Sequence, residues 1–148
     1  MVIDFKIKKI TAKETHIVRH PVLRPGKPVS TCVFDGDDLE STLHFGLFLK
    51  DEIVAIASFM KNKNDLLKSK DQYQLRGMAV MKKVQGMGFG KEILAFGEKA
   101  LKAEDIETVW CNARKVAVNF YNRNGYEIIG NPFNIEGIGT HYVMFKNL

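Results

Sequence analysis

Between residues 85 and 91 the chain reads Gln-Gly-Met-Gly-Phe-Gly-Lys, and a long helical pattern starts within that stretch. Glycines at 86, 88 and 90 let successive backbone N–H groups come close to one anion, and the positive end of the following helix adds to their field. With Lys91 in the first turn, the arrangement suits a diphosphate and requires no metal ion. Two familiar phosphate loops fail position by position. The dinucleotide pattern G-x-G-x-x-G, started at Gly86, needs glycine where Lys91 stands. The nucleotide loop G-x-x-x-x-G-K-[ST] fits at Gly90-Lys91 but has Gln85 in place of its first glycine and Glu92 in place of its hydroxyl.

Other reactive side chains are sparse. Cys32 and Cys111 have no metal-ligand or CxxC spacing and read as reduced, packed thiols, although Cys32 lies in an irregular stretch where a nucleophile would also fit. Of the histidines only His16 and His20 stand four apart, without the glutamate of H-E-x-x-H, so a surface helix face is expected there and no metal site anywhere.

The elements that must hold these residues follow from the patterning. With 148 residues, 45% of them hydrophobic, the chain has the size and composition of one globular domain spanning 1–148. No apolar run reaches the roughly 18 residues of a membrane span, and the start alternates instead of showing a signal peptide, so a cytoplasmic location without membrane association is expected. The net charge of +5 comes from scattered lysines with no aromatic-interleaved or zinc-finger pattern, so no nucleic-acid partner is expected.

Alternation over 2–10 predicts a strand, and Thr11 caps a short helix that should end near Pro21. Residues 24–42 hold two prolines, Pro25 and Pro28, and the acids Asp35, Asp37, Asp38 and Glu40, which predicts a long loop with one turn of helix. Two apolar runs meeting at Lys50-Asp51-Glu52 predict a buried hairpin, followed by a polar spacer over 62–71. A strand over 73–81, the glycine loop and a helix over 89–105 come next, then a strand over 106–113, a short helix over 115–125 stopped by Gly125, and strands over 126–130 and 140–146. The order describes a mixed α/β sheet without repeats or linkers.

A strand ending Arg-Gly-Met-Ala-Val-Met, then Q-G-x-G-x-G, then a long helix resembles the acetyl-CoA motif of the GNAT (GCN5-related N-acetyltransferase) superfamily. The segment 112–130, with Tyr121 on a helix ahead of Gly125-Tyr126, is similar to the family's second signature. The tail from Glu136-Gly137-Ile138 to His141 and Met144 resembles the ending of the ElaA-like branch, with one extra residue before His141 and no proline. The resemblance implies a GNAT-type α/β (α+β) fold: a twisted, mostly antiparallel sheet of six to seven strands flanked by about four helices. It also implies acetyl-CoA as co-substrate, with the backbone of Met78, Ala79 and Val80 along the pantetheine arm and Gln85, Gly86, Met87, Gly88, Phe89, Gly90 and Lys91 around the pyrophosphate. Many members carry Asn seven residues before the tyrosine; here Arg114 stands there, and Asn112 is the substitute for that pantetheine contact.

Moving acetyl from a thioester to an amine needs an oxyanion donor, an acid for the leaving thiolate and a route for the amine's proton. The backbone N–H of Ala79 is the expected oxyanion donor. Tyr121 is the candidate acid and also a cofactor contact; its ordinary pKa near 10 exceeds a thiol's 8.5, so Arg114, two helical turns back, and Arg123 are expected to lower it. Glu136, His141, His44 and the acids of the 35–40 loop qualify by type as the base, as does a water chain. The acceptor is read only as a small-molecule or peptide amine, the acidic loop hinting at a cationic one, and homodimerisation through a free sheet edge stays open. A non-catalytic acyl-CoA-binding or sensing module on the same fold is the alternative reading; it would keep the loop and dispense with Tyr121.

Overall fold

The structure is a computed structural model that describes residues 3–148; the expected first strand begins at Val2, which lies outside the described residues. Seven strands and three α-helices follow in the order β1 (Lys6–Lys9), α1 (Ala12–Leu23), β2 (Leu43–Leu49), β3 (Glu52–Lys61), β4 (Gln72–Val80), α2 (Phe89–Ala103), β5 (Thr108–Arg114), α3 (Val118–Arg123), β6 (Glu127–Ile135) and β7 (Gly139–Asn147). Three 3-10 turns, at Val29–Cys32, Lys82–Val84 and Lys115–Ala117, complete the described elements. The first is the single helical turn expected in the long loop, so the "about four" helices resolve into three α-helices and that turn. The strands form one sheet in the order β1-β2-β3-β4-β5-β7-β6, with β4 and β5 parallel and the β1/β2, β2/β3, β5/β7 and β6/β7 pairs antiparallel. The chain divides into two compact units: residues up to Met60 with Leu75–Ala100, and Lys61–Gln74 with Leu101–Leu148.

In the first unit, helix α1 starts where its capping box dictates. Glu14 N donates to Thr11 Oγ1 at 3.1 Å and Thr11 N donates to Glu14 Oε1 at 2.9 Å, which satisfies two otherwise orphan donors. It runs two residues past Pro21, forgoing the bond that a proline N–H cannot make to the Ile17 carbonyl. Strand β3 is buried from Ile53 through Met60, as a continuous apolar run must be when both faces are covered. Phe59 stacks edge-on with Phe45, which in turn meets Phe96 of α2.

Helix α2 approaches this strand through Gly97. A Cβ there would stand 2.2 Å from Phe59 Cε1 and 2.3 Å from Cζ, and Phe59 is fully buried and has nowhere to go. Gly97→Ala should therefore lower stability, the overpacking cost of about 1–3 kcal/mol outweighing a helix-propensity gain of about 1 kcal/mol. A urea titration of the variant checks this; an unchanged or raised midpoint would contradict the packing.

In the second unit, the 62–71 spacer is organised by one buried side chain, Gln72. Its Oε1 accepts from Asn64 N at 2.7 Å and its Nε2 donates to Ser69 O at 2.9 Å. Trp110 Nε1 donates to Asn62 O at 2.9 Å. Strand β6 is longer than the expected 126–130: it continues through Pro132 because β6 pairs only with β7, and the register shifts between Ile129 and Phe133 to absorb a residue with no donor. Helix α3 stops at Arg123 with Asn124 as its C-cap, and the expected Gly125 follows one residue on, its φ of +91° allowing Tyr126 N to donate to Tyr121 O at 3.0 Å.

Candidate active site

The loop after β4 is built on two buried anchors, Val84 and Phe89, with the glycines and Met87 exposed between them. Gly86 and Gly88 have φ of +84° and +86°, and a Cβ on either would meet nothing within 4 Å. Their role is therefore conformational: they set a left-handed turn that few other residues adopt. Gly90 already belongs to α2 and lacks this conformation. The first amide the helix satisfies is that of Glu92, which donates to Gly88 O at 3.1 Å. The amides ahead of it have no acceptor one turn back, and Lys91 is exposed beside them. Gln85 Nε2 donates to Val80 O at 3.0 Å, which ties the loop to the end of β4. The cradle fits a diphosphate: open space, a helix terminus whose first amides lack an acceptor one turn back, and one cation.

Within β4, Gly77 has φ +63° among extended neighbours, so the strand is distorted two residues before Ala79. Such a distortion re-aims backbone groups. Met78 and Val80 are half-buried and Ala79 is buried.

In the second unit, Tyr121 is 9% exposed and packs edge-on between Phe120 and Tyr126, with ring centroids 5.2 and 5.4 Å away. Burial raises its phenol above the ordinary tyrosine value, and a hydrogen bond with the Cys111 thiol raises it further. The expected lowering by Arg114 and Arg123 is overturned. Arg114 does not lie on the helix of Tyr121; it is the exposed last residue of β5, beside which His141 sits in register on β7. Burial likewise pushes the Cys111 thiol up to about 12, the hydrogen bond from Tyr121 opposing that only in part. Asn112 is exposed on the same strand.

His141, which by sequence was as readily an exposed strand residue, is 4% exposed. Its Nδ1 lies 2.8 Å from Gly139 O; a carbonyl only accepts, so Nδ1 carries a proton, and in the neutral ring Nε2 is the nitrogen with the lone pair. The ring lies tilted against Phe133, centroids 5.8 Å apart. Glu136 is in the exposed turn between β6 and β7. His44 is buried with both ring nitrogens engaged, Nδ1 with Ser58 Oγ at 2.7 Å and Nε2 with Asp37 O at 2.9 Å, so it is not a free base. Among the described residues no group of three His, Cys, Asp or Glu side chains is arranged to hold a metal ion, and no helix is long and apolar enough to cross a membrane.

The profile of the acetyltransferase (GNAT) domain matches residues 36–147, three quarters of the chain. The chain belongs to the GNAT acetyltransferase family. It is 34% identical over 143 residues to YitI of Bacillus subtilis, an uncharacterised N-acetyltransferase, covering 97% of this chain and 96% of YitI. Among solved structures it superposes on Escherichia coli ElaA with a TM-score of 0.78 at 16% identity, covering 97% and 99% of the two chains. Against the Thermoplasma acidophilum PaiA N-acetyltransferase in complex with coenzyme A the TM-score is 0.71 at 13% identity, covering 98% and 99%. This GNAT protein is thus an acyltransferase, an acetyl-CoA-dependent N-acetyltransferase in general terms, with the mixed, mostly antiparallel sheet of its family.

The sequence patterns do not reveal a buried polar cluster in the first unit of this GNAT chain. Arg19 of α1 is 0% exposed, and its Nη1 and Nη2 donate to Asp37 Oδ2 and Oδ1 at 2.6 and 3.0 Å. Nη1 also reaches Cys32 O at 2.8 Å and Nη2 reaches Ser58 Oγ at 2.9 Å. The donors run in one direction: Arg19 donates to Ser58, Ser58 to His44 Nδ1, and His44 Nε2–H to the Asp37 carbonyl. Asp37 and Cys32 are therefore structural; the first is not an acceptor-binding acid, and the second, fully buried, is not a nucleophile. The available signal was helical spacing. Thr15, Val18, Arg19 and Val22 share one face of α1, and a cation on an apolar face must find a carboxylate.

Proposed function

We propose that residues 1–148 act as one acetyltransferase domain that moves the acetyl group from acetyl-CoA directly to a primary amine. The glycine loop opening onto α2 carries the reading, because its left-handed glycines, the helix N-terminus and Lys91 suit a pyrophosphate. Acetyl-CoA supplies an activated acetyl thioester. Met78, Ala79 and Val80 hold the pantetheine arm through their backbone, aided by Asn112 and Arg114, both exposed on β5. The Ala79 N–H donates to the charge that develops on the acetyl oxygen. As the amine nitrogen bonds to the acetyl carbon and the carbon–sulfur bond breaks, Tyr121 O–H donates to the sulfur. His141 Nε2 takes the amine's proton, with Glu136 a second acceptor at the turn. The cytoplasm is the setting this chemistry suits.

Calorimetry with acetyl-CoA and thiol release over a panel of amines test the proposal; absence of binding at millimolar ligand overturns it, and binding without release overturns the catalytic part. One variant probes the loop itself. Gly88→Ala places a methyl where the diphosphate should lie and strains a φ of +86°, so acetyl-CoA affinity should fall at least tenfold. With nothing within 4 Å to clash, the fold should lose only the left-handed strain, about 1–2 kcal/mol. Calorimetry beside a thermal melt separates the two effects.

A further inference from the structure

Three guanidinium groups surround one aromatic ring in the first unit. The ζ-carbons of Arg19, Arg76 and Arg24 lie 4.0, 5.1 and 5.4 Å from the centroid of Phe34. The three are not equivalent. Arg19 is neutralised by the two bonds to Asp37. Arg24 and Arg76 are half-buried, and neither forms an ion pair among the described residues. Arg24 Nη1 donates to the neighbouring Leu23 O at 3.0 Å, and Arg76 Nη1 makes only long contacts, 3.4 Å to Asp35 O and 3.9 Å to Met60 Sδ. The carboxylates of the nearby loop do not compensate them: Asp37 is taken by Arg19, while Asp35, Asp38 and Glu40 form no ion pair among the described residues. Two partly desolvated like charges sharing one ring repel each other, and an anion between them relieves that cost.

The platform is fixed to the strand that carries the oxyanion donor. Arg76 precedes Ala79 by three residues on β4, a span of about 10 Å at strand rise. Gly77 stands between them, and a Cβ on it would lie 3.0 Å from Phe34 Cε2 and 3.1 Å from Arg19 Nε, so ring and guanidinium rest directly on the backbone there. Guanidinium forks match carboxylates in shape, and an arginine side chain spans most of the distance left to an amine placed at the acetyl carbon.

We propose that Arg24 and Arg76, over the ring of Phe34, bind a carboxylate of the acceptor, so that the substrate is a small amine carrying a carboxylate, an amino-acid-type acceptor. This rests on the acetyl-transfer reading, and it replaces the cationic acceptor suggested by the acidic loop.

Thiol release from acetyl-CoA is measured for amino acids and for the matched amines lacking only the α-carboxylate, with a phosphorylated amine, ethanolamine phosphate, as a third arm. Calorimetry of N-acetyl amino acids against the CoA-saturated protein gives a readout independent of turnover. The carboxylated member of a pair should show kcat/KM at least about tenfold higher, mostly through KM. Arg76→Ala and Arg24→Ala should bring that ratio towards one and weaken N-acetyl amino acid binding, and Arg76→Lys should restore part of both. Preference for the decarboxylated or phosphorylated amine, or a ratio unmoved by Arg76→Ala, overturns the carboxylate site while leaving acetyl transfer standing. Thiol release from no amine, with no binding of N-acetyl amino acids, overturns both.

Discussion

Replacing Tyr121 by phenylalanine should lower kcat by about 10²- to 10⁴-fold, the range typical of a lost general acid. Acetyl-CoA affinity and the melting temperature should change little. The ring of Tyr121 is held by Phe120 and Tyr126, and phenylalanine preserves those edge-on contacts. What is lost is one O–H and its hydrogen bond with Cys111. At ordinary values a phenol is a weaker acid than a thiol, by about 2 kcal/mol of unfavourable proton transfer. Burial changes both partners in the same direction. The Cys111 thiol, beside the phenol, is pushed up to about 12, and a thiolate leaving into the same surroundings is destabilised in the same sense. Because burial raises both groups, the mismatch grows by less than the phenol's own shift, and the neutral O–H remains a donor throughout the accessible range. Because that pKa lies above the ordinary value, the donor form persists above pH 10. The kcat profile should show no alkaline fall near pH 10 from this group; such a fall in the wild type, absent from Tyr121→Phe, would contradict the buried phenol.

How much of this was legible beforehand depended on whether local chemistry or distant packing decided each feature. The glycine loop was legible because Gly86 and Gly88 adopt left-handed conformations that few other residues take, so their spacing alone marks the turn. The Thr11 cap and the Gly125 stop of α3 were also legible, each resting on residues within one helical turn. Strand β6 outruns its sequence pattern because Pro132 breaks strands in general, and only its position beside a single partner permits it. Tyr121 stands on the short helix expected for it, yet its pKa moves in the opposite direction. Sequence distance pointed to Arg114 and Arg123, whereas depth of burial and Cys111, ten residues earlier on β5, decide it. The Arg19 cluster joins α1, the 24–42 loop, β2 and β3, and its members lie 13 to 39 residues from Arg19. No local pattern announces such a set; only the cation on the apolar face of α1 hints at it.

That cluster carries the largest stability prediction. Arg19→Met should cost about 3–5 kcal/mol, because it leaves the Asp37 carboxylate buried with the Phe34 amide, at 2.9 Å, as its remaining donor. Asp37→Leu should cost a similar amount by stranding the guanidinium. The double variant should lose less than the sum of the two, since a buried pair removed together leaves no uncompensated charge. Chemical denaturation of the four proteins gives the cycle, and strict additivity would mean the pair does not act as a unit. The same pair sets an acid limit. Burial by itself would raise the Asp37 carboxyl, but the Arg19 hydrogen bond, the Phe34 amide and the Arg19 charge outweigh it and hold its pKa below the ordinary value. A carboxyl depressed in the folded state contributes stability above its unfolded pKa of about 3.9 and loses it as pH falls through the lower folded value. The wild-type urea midpoint should therefore be insensitive to this group from neutral pH down to about pH 5, and should fall steeply below about pH 4. In Arg19→Met the remaining carboxyl has lost its guanidinium while burial still acts on it, so its pKa moves up and its protonation becomes favourable to folding. The cost of that substitution should then shrink as pH falls below about 4, and a cost that stayed constant or grew over the same range would show that the Asp37 charge is not what Arg19 holds in place.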